Sequence, residues 1–224
     1  ETFESFNPYT AKPWALIPKG NADDVERAVE AADHAFNSGD WPALTATARG
    51  HMIRRFADLI TEKADELAEI EVRDNGKLIA EMSAQCKYLT QWYYYYAGLC
   101  DKVEGSVIPI DKPGHFNYTV WEPLGVCACI VPWNSPLLLL AWKLAPLLAA
   151  GNTAVIKPSE YTSASTLKFM QIAEKVFPPG VINVVTGFGA EAGGQVLVVH
   201  EHRPRLPARR GEVQGGGGGE RDGL

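Results

Sequence analysis

An asparagine near the middle of the chain has the surroundings of a fixed hydrogen-bond donor. Asn134 follows Pro132 and Trp133, and Pro136 comes two residues after it. A side-chain amide held between such stiff neighbours is useful wherever negative charge develops on a substrate oxygen. Asparagine is also a common N-cap at the start of a helix, so the sequence leaves both roles open for Asn134.

A lysine and a glutamate three residues apart form a second group that could do chemistry. Lys157, Ser159 and Glu160 come at the end of a short apolar run. The ammonium of Lys157 can donate to ribose hydroxyls, and the carboxylate of Glu160 can accept from two hydroxyls at once. Because that carboxylate would repel a 2′-phosphate, the pair favours NAD over NADP. The alternative is a solvated Lys/Glu pair at the start of the next helix.

A glycine-containing stretch follows the last apolar run of this region. Gly187 and Gly189 stand between a predicted strand and a helix predicted over 190–199, and Gly193 lies near the start of that helix. This order of elements brings backbone amides close to a pyrophosphate. The spacing differs from the GxGxxG fingerprint of dinucleotide-binding proteins, and a plain turn explains these glycines equally well.

The elements that must position these residues form a βαβ unit followed by one more strand. The strand, the helix and the two further strands are predicted over 126–131, 136–150, 153–157 and 181–185. The first strand is nearly unbroken in its apolar character, which is typical of a strand buried on both faces of a parallel sheet. The ligand crevice of such a unit lies beyond the carboxyl ends of its strands, where Asn134 and Lys157 stand.

The part of the chain before this unit is predicted to be mostly helical. After an extended opening that ends at Gly20, apolar residues repeat at helical spacing over 25–36, 52–60, 67–72 and 78–99. Asn21 is the predicted N-cap of the first helix. The aromatic run over 92–96 is expected to pack against a sheet or another subunit. Residues 103–124, with prolines and glycines between β-rich pieces, predict a two-stranded excursion outside the core sheet.

Composition and charge exclude several classes of protein. The chain of 224 residues is 46% hydrophobic, enough for a real core, and its net charge of −6 gives little support to a nucleic-acid or anionic-membrane partner. Four cysteines are too few for a disulfide framework, and no histidine near Cys127 and Cys129 completes a zinc site, so no metal is expected. Since the first residues lack signal-peptide features, we expect a cytoplasmic protein.

Several separated motifs resemble the aldehyde dehydrogenase superfamily. In chain order they are NPYT, RDNGK, VPWNSP, AWKLAPLLAAGNTAVIKPSE and FPPGVINVVTGFG. The resemblance implies an α/β fold, a Rossmann-like open parallel sheet with flanking helices, preceded by an all-helical stretch and a β-hairpin excursion. Only part of the family's fold is expected, with residues 1–201 forming a partial NAD-binding domain.

The resemblance also implies roles for individual residues. The amide of Asn134 would help to hold the oxyanion formed when a cysteine thiolate attacks an aldehyde. The groove for NAD would be lined by Ile130, Val131, Pro132 and Trp133. Lys157, Ser159 and Glu160 would hold the adenosine ribose, and Gly189 and Gly193 would approach the adenine and pyrophosphate end. The hairpin over 103–124 would join subunits into a homo-oligomer.

The family's chemistry requires groups that the matched motifs do not contain. A nucleophilic cysteine and a general-base glutamate would follow these motifs, and the four cysteines all precede that place. We therefore expect the chain alone not to oxidise aldehydes to carboxylic acids. Residues 202–224, rich in arginine and glycine and without apolar periodicity, predict a disordered tail. For the function of the chain as a whole, the alternative to part of an aldehyde dehydrogenase is a non-catalytic module for nucleotide binding or subunit interaction.

Overall fold

A computed structural model of the chain describes residues 1–196. Its helices and strands, in chain order, are β1 (Thr2–Asn7), β2 (Lys12–Pro18), α1 (Ala22–Ser38), α2 (Ala46–Glu62), α3 (Ala64–Asn75), α4 (Ile79–Tyr88), α5 (Thr90–Leu99), β3 (Val126–Ile130), α6 (Pro136–Ala149), β4 (Thr153–Lys157), α7 (Ala164–Ala173) and β5 (Ile182–Val184), followed by a π-helical turn (Gly189–Gly193). The predicted tail over 202–224 and the predicted domain end at residue 201 lie outside the described residues, as does the end of the helix predicted over 190–199.

The centre of the fold is a three-stranded parallel sheet in the order β3-β4-β5. This arrangement confirms the α/β class and the βαβ unit, in which α6 connects β3 to β4. Every residue of β4 is buried because this strand lies in the middle of the sheet. The prediction that β3 is buried on both faces was wrong. β3 is an outer strand of the sheet, and only Cys129 of its five residues is fully buried.

The alternating side chains of β4 divide the core into two layers. Ala154 and Ile156 pack with residues of α2, α5, α6 and α7 in the larger apolar cluster. Val155, between them, points to the other face and packs with Val25 and Val29 of α1. The period-two alternation of a strand therefore places helices on both faces of the sheet.

The first helices follow the local signals in the sequence. Asn21 is the N-cap of α1, as predicted, and its side chain accepts from the Asp24 amide at 3.0 Å while Asp24 accepts from the Asn21 amide at 2.9 Å. This reciprocal pair is a capping box. Gly76 ends α3 with φ of 73°, a left-handed conformation that glycine adopts without the steric cost of a Cβ atom.

The single long helix predicted over 78–99 is interrupted. It forms α4 and α5, which are separated at Leu89. The hydroxyl of Thr90 donates to the carbonyl oxygen of Lys87 at 2.8 Å, and such a bond to the preceding turn bends a helix. Both Leu89 and Thr90 are buried at this bend, so tertiary packing also holds it.

The aromatic run was predicted to pack against a sheet or another subunit, and its buried rings contact rings on other helices of the chain. Tyr93 is fully buried, and its ring lies 5.2 Å from that of Phe56 in an edge-to-face arrangement. Phe56 also contacts Phe169 and Phe177 with ring centroids 5.0 and 5.2 Å away. Trp92 makes a similar contact with a tryptophan of α6 at 5.7 Å. These rings join α2, α5 and α7 into one apolar cluster.

The excursion over 103–124 is less regular than predicted. It contains one antiparallel bridge, between Val107 and Tyr118, in place of two strands. Every residue of this segment is exposed, so no sheet or helix face supports a longer ladder. Pro109 and Pro113, which lack an amide hydrogen, further interrupt the pairing.

The opening of the chain, predicted as extended, is an antiparallel hairpin of β1 and β2. The hairpin is tied to the end of β5, because the Thr186 hydroxyl donates to the Pro18 carbonyl at 2.6 Å and the Gly20 amide donates to the Thr186 carbonyl at 2.9 Å. Within residues 1–196, none of the helices has both the length and the apolar character needed to cross a bilayer.

Candidate functional site

The predicted site residues emerge from one edge of the parallel sheet. Ile130 at the end of β3 pairs with Lys157 at the end of β4, and the Val131 amide donates to the Lys157 carbonyl at 3.1 Å. Val131 is buried, whereas Ile130, Pro132 and Trp133 are exposed. Because parallel strands end on the same side, the loop that carries Asn134 and the loop that carries Glu160 leave the sheet side by side.

Asn134 lies in the turn between β3 and α6. The N-cap of α6 is Ser135, so the alternative role of Asn134 as a helix cap was wrong. Asn134 is exposed, and it precedes the first helical residue, Pro136, by two positions. Its amide is therefore presented to solvent at the strand-end edge.

Lys157 is much less accessible than a solvated surface pair would require. The residue is 3% exposed, and its Nζ donates to the Pro158 carbonyl oxygen at 2.7 Å. Glu160 is half-buried, with its Oε2 3.7 Å from Nζ of Lys157. Burial lowers the pKa of Lys157, although the carboxylate of Glu160 acts in the opposite direction. Ser159, also half-buried, accepts at its hydroxyl from the Tyr161 amide at 3.3 Å. The alternative of a solvated pair does not describe this lysine.

The glycines after β5 lie beside the Lys157 loop. Gly187 has φ of 144°, and a Cβ atom there would come within 2.8 Å of a backbone carbonyl oxygen, so a side chain does not fit. A Cβ atom at Gly189 would meet nothing within 4 Å, and one at Gly193 would lie 4.0 Å from Cε of Lys157. The structure thus brings Gly193 next to Lys157 and leaves open space above Gly189.

None of the cysteines has the character of an activated nucleophile. Burial raises the pKa of Cys86, Cys100, Cys127 and Cys129, and that of Cys129 reaches about 12. A thiol with a raised pKa is protonated near neutral pH and is a poor nucleophile. In the described part of the chain, no three His, Cys, Asp or Glu side chains are grouped closely enough to hold a metal ion.

A groove of about 560 Å³ lies along β5 and is bordered by the end of β2, α1 and α7. Its lining includes Lys19, Asp24 and Asn183. None of the residues predicted to bind the cofactor or to act on the substrate lines this groove.

Three charged side chains that hold the loops of the site were not predicted from the sequence. Glu71 and Asp74 of α3 and Lys77 after it reach the loops that follow β3 and β4. The available signal was the position of Glu71, which falls on the apolar face of α3 with Leu67 and Ala68. A carboxylate at such a buried position requires hydrogen-bond partners from elsewhere in the fold.

The arrangement suits a ligand with hydroxyl and anionic groups. One of the three Nζ protons of Lys157 is used by a carbonyl, and Glu160 is partly open to solvent. Backbone without side chains at Gly189 and Gly193 leaves room for close approach. These features fit the ribose and phosphate groups of a dinucleotide, while the exposed amide of Asn134 can donate to an oxygen at the other end of the edge.

Comparisons with known proteins identify the family of this chain. The aldehyde dehydrogenase family matches residues 1–205. The chain is 49% identical over 199 residues to (Z)-2-((N-methylformamido)methylene)-5-hydroxybutyrolactone dehydrogenase of Acinetobacter baylyi, with 88% of this chain and 41% of that protein covered. It is 45% identical over 204 residues to hydroxyisobutyraldehyde dehydrogenase of Mycolicibacterium austroafricanum, with 90% and 40% covered.

The same relationship holds among solved structures. The NAD+ complex of an aldehyde dehydrogenase from Bacillus cereus superposes with a TM-score of 0.85 at 41% identity, covering 88% of this chain and 40% of that one. The chain thus spans about two fifths of the length of these relatives. The match of the family over most of the chain, at this level of identity, establishes that the chain belongs to the aldehyde dehydrogenase family.

Proposed function

We propose that this chain is the NAD-binding part of an NAD-dependent aldehyde dehydrogenase, which in complete form oxidises an aldehyde to a carboxylic acid. The observation that carries the proposal is the pairing of Ile130 with Lys157, which sets the Asn134 turn and the Lys157–Glu160 loop side by side at one sheet edge. The similarity to a structure solved with NAD+ supports the choice of cofactor.

In this proposal the sheet edge holds the dinucleotide. The Lys157 ammonium donates to the adenosine ribose, Glu160 accepts from its hydroxyls, and Ser159 completes that loop. Residues 130–133 line the groove, and Gly189 and Gly193 allow the adenine and pyrophosphate end to approach the backbone. The carboxylate of Glu160 disfavours a 2′-phosphate, so we expect NAD+ to bind better than NADP+.

Asn134 serves the reaction by donating its side-chain N–H to the oxygen that becomes negative when a thiolate adds to the aldehyde. The dinucleotide, when bound, accepts a hydride. The chain's own cysteines are unsuited to the nucleophilic role because burial raises the pKa of each thiol. We therefore propose that the 224-residue chain alone does not turn over aldehydes.

Calorimetric titration of the chain with NAD+ and NADP+ tests this proposal. We expect Lys157→Met to weaken NAD+ binding by about tenfold or more, because it removes a charged hydrogen-bond donor. Lys168→Met is the matched control, since the ammonium of Lys168 pairs with Glu66 of α3 and not with a predicted site residue. Absence of NAD+ binding, or equal effects of the two variants, would contradict the assignment.

A parallel assay follows NADH formation with a panel of aldehydes. Binding without NADH formation agrees with a cofactor-binding part, and also with the alternative of a non-catalytic nucleotide-binding module. Turnover by the isolated chain would show that our account of the cysteines is wrong.

We also propose that the exposed segment 103–124 joins subunits into a homo-oligomer. Its apolar side chains, among them Phe116 at 72% and Trp121 at 73% exposure, form a surface unusual for a monomer. Sedimentation velocity tests this, since Trp121→Ser should reduce self-association.

The free thiols of all four cysteines fit a reducing compartment, which supports a cytoplasmic location that cell fractionation can check.

A further inference from the structure

The helix α6 has no local side-chain cap. Its first residue, Pro136, has no amide hydrogen, so Leu137 offers the first N–H that needs a partner. The N-cap residue Ser135 makes no side-chain bond into the helix. Its hydroxyl instead accepts from Nζ of Lys77 at 3.0 Å. The start of α6, directly after Asn134, therefore depends on partners from outside.

Glu71 supplies the missing acceptor from a distant part of the chain. Its Oε1 accepts from the Leu137 amide at 3.0 Å, the bond that an N-cap side chain would otherwise make. The Ser165 hydroxyl donates to the same oxygen at 3.4 Å. Glu71 is only 1% exposed, so water does not compete for these bonds. When ionised, the Glu71 carboxylate also interacts favourably with the helix dipole at this end.

Asp74, one turn later on α3, acts in the same way on α7. Its Oδ2 accepts from the Ala164 amide at 2.9 Å, and its Oδ1 accepts from the Ser5 hydroxyl at 2.7 Å. Ser163, the N-cap of α7, makes no capping bond, and its hydroxyl donates back to the Ser159 carbonyl at 2.8 Å. Asp74 thus fixes the far end of the loop that begins with Lys157.

We propose that Glu71 is a positioning residue for the amide of Asn134, and that Asp74 has the same role for the Lys157–Glu160 loop. One turn of α3 thereby sets the relative placement of the two loops at the sheet edge. The inference rests on the proposed function, since it assigns a purpose to the placement of Asn134. A poorly held supporting group typically costs a site ten- to a hundredfold in affinity or activity, by analogy with the partners of metal ligands.

The test uses the 224-residue chain and two pairs of variants. Glu71→Met removes the acceptor while keeping an unbranched side chain, and Glu71→Gln retains an acceptor oxygen. Asp74→Leu and Asp74→Asn form the matched pair on the other loop. Hydrogen exchange of the Leu137 and Ala164 amides, followed by NMR, reports each cap separately.

We expect Glu71→Met to raise the exchange rate of the Leu137 amide roughly fivefold to thirtyfold, with little change at Ala164. Asp74→Leu should give the reverse pattern, and the Gln and Asn variants should restore protection. In Glu71→Met the side-chain amide of Asn134 should also become more mobile, measured by its heteronuclear NOE. Equal loss of protection at both amides in either variant, or an unchanged Asn134 signal, would overturn the proposal.

If the Met and Leu variants do not fold, the wild-type chain still provides a test. The Leu137 amide resonance should shift with pH together with the Glu71 carboxyl resonance, and an independent titration would overturn the proposed contact. NAD+ titration of the wild-type chain separates the two hypotheses. Failure of the wild-type chain to bind NAD+ refutes the proposed function, whereas the amide measurements refute or support the positioning role.

Discussion

The buried carboxyl of Glu71 should make the stability of the chain depend on pH in an unusual direction. Burial raises its pKa from 4.5 to about 7, and the Leu137 amide and Ser165 hydroxyl reduce this rise without cancelling it. The other titratable groups that interact with it are Asp74, Lys77 and Cys86. At a pH between the pKa of Glu71 in the unfolded chain and its pKa in the folded chain, the native state holds a proton that the unfolded chain has released. The free energy of unfolding of the chain therefore falls as the pH rises through this window.

The size of the effect follows from the two pKa values. A rise from 4.5 to about 7 corresponds to about 3 kcal/mol, at about 1.4 kcal/mol for each pH unit. This stability is fully present below pH 4.5 and lost above about pH 7. Glu71→Gln cannot ionise, so the difference in unfolding free energy between the variant and wild type should change by about 3 kcal/mol from about pH 4 to about pH 8.

Urea denaturation followed by tryptophan fluorescence measures this difference at a series of pH values. Glu66→Gln is the matched control on the same helix: Glu66 is half-buried, and hydrogen bonds from Lys168 and Lys63 lower its pKa. It is already ionised in the window, so the Glu66→Gln variant should retain the wild-type slope. A difference between wild type and Glu71→Gln that does not vary with pH would refute the reasoning.

Three further predictions concern packing and backbone conformation, each measured as an unfolding free energy in urea. Phe56→Ala should cost about 3 to 5 kcal/mol because it empties the centre of the aromatic cluster. Tyr95→Ala, on the exposed side of the aromatic run over 92–96, should stay within about 0.5 kcal/mol. Similar losses for both variants would contradict the packing. Asn21→Ala should cost about 1 kcal/mol by removing the capping box of α1, and an unchanged midpoint would show that the box contributes little. Gly187→Ala should destabilise by more than about 1 kcal/mol because of its positive φ and the close carbonyl, whereas Gly189→Ala, which has open space, should be tolerated. If both alanine variants behaved alike, the predicted clash at Gly187 would be wrong.

Local patterns were enough to predict the elements that carry the site. The apolar run that forms β4 ends at Lys157, and the Asn21 cap with its helical periodicity marks α1, as the structure confirms. The separated motifs also indicated the family, which the comparisons establish. These features succeed because neighbouring residues determine strand ends, helix caps and periodicity.

Features that depend on distant residues could not be predicted in this way. The sequence of β3 looks as buried as that of β4, but its place at the sheet edge depends on which strands pair with it. The bend at Leu89 depends on the packing of α4 and α5 as well as on the hydroxyl of Thr90.

The sequence by itself determined the strand-end residues Asn134, Lys157 and Glu160 and the parallel order that brings their loops to one edge. Only the tertiary structure decided what holds those loops, because Glu71 reaches Leu137 across 66 positions and Asp74 reaches Ala164 across 90. A carboxylate on a helix shows no partner in its own segment. The role of each carboxylate emerges only when folding removes water from it and brings an amide of another helix within hydrogen-bonding distance.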